Sequence, residues 1–283
     1  DQPLDGWRVY NVTDMSGMFA GATSFNQNLN NWSVQNVTDM SNMFNGATSF
    51  DGVLNGNPLG SNILPRGWHT NSLVNASGMF ADATSFNQKI LLLTTNVTDM
   101  SGMFAGATSF NQNTNGTIYV NAYSSVLDII SPVWDVRSVK DMSYMFAGAT
   151  SFNSPLNHWL IENTSNISQM FANANNFNRD ISSWNVAPVT NMSGMFYGAT
   201  SFNQPITTWS VHNVTDTSRM FESATSFNQD ISNWNVGQIS DMSYMFKNAT
   251  SFDANLDTWS VGEDVNKTEM FVNSGVDTLP PWY

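Results

Sequence analysis

Apolar residues recur along this chain with a fixed period. A Met-Phe pair occurs ten times, and the intervals between its Phe residues are 25, 36, 24, 42 and then five times 25. In nine copies a Trp lies twelve residues before that Phe, and in nine copies a second Phe lies six residues after it. A constant period of this length predicts a stack of similar units, each of which buries its apolar face against its neighbours.

Each repeat also has the pattern of a short helix. Every copy carries Asp or Asn five residues before the Met-Phe Phe, and these residues are favoured helix N-caps. In the first copy Met15, Met18, Phe19 and Ala22 then follow the i, i+3, i+4, i+7 spacing of one helical face. Two residues after the Phe stands Gly21, and most copies have Gly or Asn there, as at a helix C-terminus. We therefore predict one helix of about two turns in each repeat.

The segment around the Trp has a different pattern. In ISSWNV, residues 181–186, apolar Ile, Trp and Val are interspersed with polar residues as in a short strand. This strand recurs in one direction, so neighbouring copies are expected to pair in parallel. The predicted fold class is an α/β solenoid, leucine-rich-repeat-like, of ten stacked 25-residue strand-plus-short-helix repeats with a parallel sheet. The Asn after the second Phe is expected to form a ladder between repeats, at Asn26, Asn87, Asn111, Asn153, Asn178, Asn203 and Asn228.

Two insertions interrupt the array at the same corner of the repeat. The usual gap of seven residues between the second Phe and the next Trp grows to eighteen after Phe50 and to twenty-four after Phe110. We predict a single repeat domain over residues 1–283 with insertions at about 54–66 and 114–131, both projecting from one edge. They are either tolerated surface excursions or recognition loops. The candidate partner-binding residues are Leu59 and Ile63 in the first insertion, and Ile118, Tyr119, Tyr123, Leu127 and Ile129 in the second.

The repeat motif resembles that of a known family. The elements W-x-V, VTDMSGMF and ATSFNQ are similar to those of BspA-type leucine-rich-repeat surface proteins, in particular the 25-residue repeat of mycoplasma-lipoprotein type. The resemblance covers nearly the whole chain. It implies a leucine-rich-repeat-like fold, a surface or secreted location, and a role in adhesion or contact with other cells. It does not imply an enzyme.

Charge and composition narrow the classes of partner. Nine Lys and Arg against 22 Asp and Glu give a net charge of −13, which argues against nucleic acid and anionic membranes. The chain has no Cys, which excludes a disulfide scaffold and a Cys-ligated metal site. No apolar run approaches the roughly 18 to 20 residues of a membrane span. Because the sequence begins with Asp1 and not with Met, we expect a mature or trimmed product.

Candidate chemistry is sparse. The three histidines, His69, His158 and His212, stand at different places relative to the nearest Trp, so the repeat does not gather them. Most carboxylates occupy the predicted N-cap column, where they stabilise the backbone. We predict no catalytic site, no metal site and no cofactor. Calcium binding is an alternative suggested by the acidic charge, although no loop of the EF-hand type is present.

The strongest candidates for modification are sequons in the turn between predicted strand and helix. Twelve N-x-[ST] sequences occur, and we select as glycosylation candidates Asn11, Asn36, Asn96, Asn163 and Asn213. The sequence favours a non-enzymatic extracellular or cell-surface scaffold for adhesion or structural assembly, binding protein or glycan partners. One alternative is a subunit of an extracellular fibre that self-associates end to end. Another is ice or surface binding through Thr/Ser rows that include Thr23, Thr48 and Thr108.

Overall fold

Ten stacked layers make up the molecule. The computed structural model describes residues 3–4, 6–54, 68–90, 92–114 and 134–283. One Asp or Asn per repeat forms an isolated parallel bridge with its counterpart in the next repeat, and the described residues contain nine such bridges. We number the layers 1 to 10 by these residues: Asp14, Asp39, Asn75, Asp99, Asp141, Asn166, Asn191, Asp216, Asp241 and Asn266.

The predicted helices are wrong. Where a helix was expected, the described chain forms overlapping turns, in which the N–H groups of Met18, Ala20 and Ala22 donate to carbonyls three residues earlier. The alternate N–H groups point out of the layer: those of Gly17 and Phe19 donate to Ser41 and Met43 in layer 2, each at 2.8 Å. The carbonyls of the neighbouring layer therefore replace the i−4 carbonyls that a helix would use.

The predicted strands and parallel sheet are also wrong. The Trp segment turns back on itself, with the Trp32 N–H donating to Leu29 O and the Val37 N–H to Val34 O, both at 3.0 Å. In the described residues, strand-like pairing is confined to the isolated bridges. The expected α/β solenoid of the leucine-rich-repeat type is thus replaced by a stack of turns.

Each pair of adjacent layers is joined by the same backbone hydrogen bonds. Between layers 1 and 2 the four donors are the N–H groups of Met15, Gly17, Phe19 and Gly21, at donor–acceptor distances of 2.7 to 2.9 Å. Two bonds run the other way, from the Thr38 N–H to Thr13 O at 2.8 Å and from the Ser49 N–H to Thr23 O at 3.1 Å. These bonds satisfy backbone groups that the turns leave without partners inside their own layer.

Aromatic rings fill the core in columns, of which the Phe columns are continuous and the Trp column is interrupted where one repeat lacks Trp. Within layer 6 the rings of Phe171 and Phe177 are stacked with centroids 3.9 Å apart, and the Phe171 ring lies 5.7 Å from that of Phe196 in layer 7. The Trp rings stack in a column of their own, as Trp234 does on Trp259 at 6.5 Å. Every Met except Met18 is buried, so the Met columns fill the core beside the rings.

Two residues per layer adopt the left-handed backbone conformation. The Gly21 column, which was predicted to end a helix, is left-handed, with φ between 54° and 70° in all ten layers. A second column, beginning at Gly17, has φ between 52° and 61° and was not predicted. This second column is what converts the expected helix into successive turns, because a right-handed helix has no left-handed residue inside it.

The two insertions fall outside the described residues, except for Leu54 and Thr114 at their edges, which are buried. The stack is continuous past both of them, since Asp39 bridges to Asn75 and Asp99 bridges to Asp141.

After layer 10, Trp282 packs on the Trp column. Its ring stacks on that of Trp259 at 5.9 Å, and its indole N–H donates to Leu256 O at 2.8 Å.

Candidate functional site

The Asp and Asn residues of the bridge column bind the backbone. In all ten layers a side-chain oxygen accepts the N–H of the residue two positions later, as Asp99 Oδ1 does from Ser101 at 2.8 Å. The local hydrogen bond expected of an N-cap is therefore present, although no helix follows it. These carboxylates serve the backbone of their own layer.

The predicted Asn ladder is present. The side-chain oxygen of Asn178 accepts the N–H of Asn203 at 3.0 Å, and Asn203 accepts that of Asn228 at 3.0 Å. The ladder runs through nine positions, with Asp51 and Asp253 in place of Asn at two of them. Because Asp also satisfies the geometry, the column requires an acceptor oxygen and does not require an amide.

Hydroxyl and indole groups also connect layers. The Oγ1 atoms of Thr48 and Thr108, in the predicted Thr row, donate to Thr23 O and Thr84 O in the preceding layer, each at 3.3 Å. The Trp209 indole donates to Ile181 O at 3.2 Å, and seven other Trp residues make the equivalent bond. The donors of these columns are thus directed at the protein backbone.

Hydrogen bonds to neighbouring groups shift several ionisable side chains. The Ser182 and Ser232 hydroxyl and backbone groups lower the pKa of Asp180 and Asp230 below the usual 3.8. The Arg137 guanidinium, whose Nη2 lies 2.6 Å from Asp135 Oδ2, lowers the pKa of Asp135 through hydrogen bonding, against the opposing effect of burial. These shifts favour the ionised carboxylates.

The histidines and acidic residues are not brought together. His158 and His212 are exposed and His69 is half-buried, and His212 Nδ1 shares a hydrogen bond with Ser210 Oγ at 2.8 Å. Within the described residues, no group of three or more His, Asp and Glu side chains could hold a metal ion. An open groove of about 490 Å³ contains Asp230 and Asp257, but the Asp230 carboxylate accepts the Ser232 N–H at 2.9 Å.

The five glycosylation candidates are all exposed, and four of them share a second property. The Nδ2 atoms of Asn36, Asn96 and Asn163 donate to a carbonyl of the preceding layer at 2.7 to 2.8 Å, and Asn213 does the same at 2.8 Å. Nδ2 is the atom to which an N-linked sugar is attached. These four side chains therefore connect layers, a role that their sequon does not reveal. Asn11 is exposed in layer 1.

The seven candidate partner-binding residues all fall in the insertions, outside the described residues. They are Leu59, Ile63, Ile118, Tyr119, Tyr123, Leu127 and Ile129. Their role stays a prediction.

One surface departs from the repeat, and sequence reasoning missed it. We call it the outer strip and define it by the residues three and six positions after the Asp or Asn of each layer. In layers 1 to 4 it consists of Gly17, Ala20, Asn42, Asn45, Gly78, Ala81, Gly102 and Ala105. In layers 5 to 10 it consists of Tyr144, Ala147, Gln169, Ala172, Gly194, Tyr197, Arg219, Glu222, Tyr244, Lys247, Glu269 and Val272. A signal in the sequence could have revealed this surface: the column three positions after the Asp or Asn has Gly in four copies and large residues in five.

Large residues of the outer strip contact one another across layers. The Arg219 guanidinium lies 4.6 Å from the Tyr244 ring centroid, and its Nη1 lies 2.9 Å from Glu222 Oε2. Gln169 Nε2 donates to the Tyr144 hydroxyl at 2.8 Å. Lys247 Nζ lies 2.5 Å from Glu269 Oε2, a hydrogen bond that raises the pKa of Lys247.

The large residues of this column carry a backbone cost. Tyr144, Gln169, Arg219, Tyr244 and Glu269 all have φ between 52° and 60°, a conformation that costs a residue other than Gly about 1–2 kcal/mol. The contacts offset part of this cost, since an exposed cation–π contact contributes about 0.5–1 kcal/mol and Arg219 also pairs with the buried Glu222. Gly, which layers 1, 3, 4 and 7 have in this column, avoids the strain.

The chain matches one known protein family. It matches the family described as "Mycoplasma protein of unknown function, DUF285" over residues 1–117, 119–192 and 180–278. These matches cover most of the sequence, and the chain belongs to this family. The mycoplasma-type repeat of the expected resemblance is therefore confirmed, whereas membership of the BspA-type leucine-rich-repeat proteins is not.

No curated protein and no solved structure matches the chain. The family description assigns no function. In the part of the chain that the structure describes, no helix has the length and apolarity needed to cross a membrane.

Proposed function

We propose that the chain is an extracellular or cell-surface, non-enzymatic scaffold that serves adhesion or structural assembly and binds protein or glycan partners. One observation carries the proposal: in every layer the repeated polar residue, such as Asp99 or Asn191, is used to hold the backbone of the stack. These hydrogen bonds make the stack rigid. A rigid stack holds the residues that differ between repeats at fixed positions.

Composition and packing support the same role. The net charge of −13 disfavours nucleic acid and anionic membranes as partners. The stacked core, in which Phe146, Phe171 and Phe196 are fully buried, gives each layer the same support. Departures from the repeat are then the natural places for recognition, and they include the two insertions.

The test removes each insertion and measures both folding and binding. Deletion of Gly56–Leu64 or Asn115–Ile130 is expected to leave the circular dichroism spectrum and unfolding midpoint unchanged. Beads coated with the intact chain are expected to adhere to a cultured epithelial layer, and beads coated with a deletion variant are expected to lose adhesion. Adhesion that persists in both variants would refute recognition by the insertions. Beads of the intact chain that do not adhere would refute the adhesive role.

A second function, assembly into a fibre, is favoured by the chemistry of the layer junction. Each layer offers four N–H donors on one side and four carbonyls on the other. In layer 2, for example, Ser41 O accepts the Gly17 N–H of layer 1, and the Asn42 N–H donates to Ser77 O of layer 3. The contact of Trp282 with Trp259 opposes it, because Trp282 occupies the place that the Trp of an added layer would take. Negative-stain imaging in physiological salt decides between them, since a fibre subunit forms filaments and a scaffold does not.

A further inference from the structure

The outer strip changes its character halfway along the stack. In layers 1 to 4 its side chains are no larger than Asn, and in layers 5 to 10 it carries Tyr, Gln, Arg, Glu, Lys and Val besides Ala147, Ala172 and Gly194. Both halves belong to the same two columns of one continuous stack, as the spacing of 5.7 Å between the Phe104 and Phe146 rings at the junction indicates. We call the part of the strip in layers 1 to 4 the smooth half and the part in layers 5 to 10 the ridge. Both therefore face the same direction from the stack.

The ridge is partly exposed, since Ala172 and Glu222 are buried, and it is held in place before any partner binds. Tyr144 is 45% exposed and the Arg219 side chain is 52% exposed. The cation–π contact with Tyr244 and the ion pair with Glu222 restrict the Arg219 side chain. Tyr and Arg, like Trp, are enriched at interface hot spots, and restricted side chains lose less entropy on binding.

The charges of the ridge are balanced. Arg219 pairs with Glu222, and Lys247 with Glu269, whereas the whole chain carries −13. A surface with no net charge avoids the repulsion that two copies of so acidic a chain would otherwise meet. Two copies can therefore approach each other through this strip at a lower electrostatic cost than through an acidic surface.

We propose that the outer strip joins two copies of this chain side by side in an antiparallel dimer, with the twofold axis between layers 5 and 6. This arrangement places layer 4 of one copy opposite layer 7 of the other, and layer 2 opposite layer 9. The ridge of each copy then lies over the smooth half of its partner, so Asn42 and Asn45 face Tyr244 and Lys247 of the second copy. Tyr144 faces Gln169 near the axis.

The proposal goes beyond the scaffold function and is independent of it, because it concerns neither the insertions nor the ends of the stack. A twofold contact between identical surfaces closes on itself. It therefore produces a dimer of defined mass and not a filament. Failure of the adhesion test would leave it untouched, and its own failure would leave adhesion untouched.

The first experiment measures mass by light scattering across a concentration series of the intact chain. We expect a species of twice the 31.3 kDa of one chain that dissociates on dilution. Ala81→Arg places a long side chain on the smooth half, opposite Arg219, and is expected to weaken the dimer by about tenfold or more. Leu160→Arg adds the same side chain in the Trp segment, where Leu160 is 49% exposed, and should leave the dimer intact.

A second pair of variants separates binding from folding. Tyr144→Gly and Tyr244→Gly remove the ridge and the left-handed strain together, so we expect unfolding midpoints at or above that of the wild type but weaker dimers. A mass of one chain at every concentration would overturn the proposal. A dimer that survives Ala81→Arg, Tyr144→Gly and Tyr244→Gly would overturn it too.

Cross-linking tests the antiparallel register directly. The chain has no Cys, so engineered thiols have no background. Ala105→Cys chains mixed with Tyr197→Cys chains should form mixed disulfide dimers, because layers 4 and 7 face each other. Ala105→Cys chains alone should not. Disulfide dimers of Ala105→Cys alone would indicate a parallel pair and contradict the proposed arrangement.

Discussion

The side-chain oxygen of Asn153 accepts the backbone N–H of Asn178 at 3.0 Å, and the two residues occupy the same place in adjacent layers. The bond therefore satisfies a main-chain group of one repeat with a side chain of the repeat before it. Equivalent bonds connect the ladder from Asn26 to Asp253, so one acceptor oxygen in each layer helps to fix the spacing of successive layers.

Loss of one ladder oxygen should destabilise the stack. Asn153→Ala leaves the Asn178 N–H without its acceptor, and we expect the free energy of unfolding to fall by about 1–3 kcal/mol. Asn153→Asp keeps an acceptor, as Asp51 does in the same column, and should change stability much less. Urea unfolding followed by Trp fluorescence measures both. Equal losses in the two variants would contradict the acceptor role.

Truncation of a central ring should cost more than truncation near the end of the stack. Phe171 is fully buried and its ring lies within 5.8 Å of those of Phe146, Phe177 and Phe196. Phe171→Ala is expected to destabilise by about 3–5 kcal/mol, the usual cost of deleting a buried aromatic side chain. Phe271→Ala, where the ring retains 7% exposure, should cost less. Thermal unfolding compares them, with Phe171→Leu as the conservative control.

Two glycines at the same place in different layers should respond differently to a methyl group. Gly198 and Gly148 both have positive φ, so Ala costs each about 1–2 kcal/mol in backbone strain. At Gly198 the new Cβ would also collide with Asn173 Oδ1, whereas at Gly148 the nearest atom is Gly106 Cα at 3.6 Å. Gly198→Ala should therefore be the more destabilising in urea unfolding, and the reverse order would contradict the packing of Asn173.

Stability should decline in acid partly through Asp180 and Asp230. Because their folded-state pKa values lie below 3.8, both contribute stability above the unfolded pKa, and that stability is lost as the pH falls through the folded pKa. The double variant Asp180→Asn, Asp230→Asn keeps an acceptor oxygen at both positions. Unfolding midpoints at pH 7 and pH 3 should therefore differ less in the variant than in the wild type. An identical acid response in both chains would rule out the contribution.

The repeat unit, its buried columns and the Asn ladder could be predicted from the sequence, but its secondary structure could not. Met40, Phe44 and Ala47 have helical spacing, yet overlapping turns bury all three. A period near 3.6 does not show where each N–H finds its acceptor. The positive φ of the Gly17 column distinguishes the turns from a helix. It was not predicted, because some copies have large residues such as Tyr144 and Arg219 in this column.

The candidate site was less accessible to prediction. The sequons at Asn36 and Asn163 indicated glycosylation, and only the positions of neighbouring layers reveal that both side chains bind the backbone. The outer strip arises from residues 25 positions apart that become adjacent when layers stack. Residues such as Arg219 and Tyr244 carry no sequence motif that would have drawn attention to them.

The junction between layers also bears on how such chains change length. The bonds that Gly194 makes to Ser218 and that Phe196 makes to Met220 are equivalent to those at the other junctions. One whole repeat could be lost or duplicated, for instance by slippage between similar stretches of coding sequence. The new junction would then have the same hydrogen bonds as the existing ones. The number of layers can therefore vary between descendants without any compensating mutation, and the reach of the molecule can change in a single genetic event.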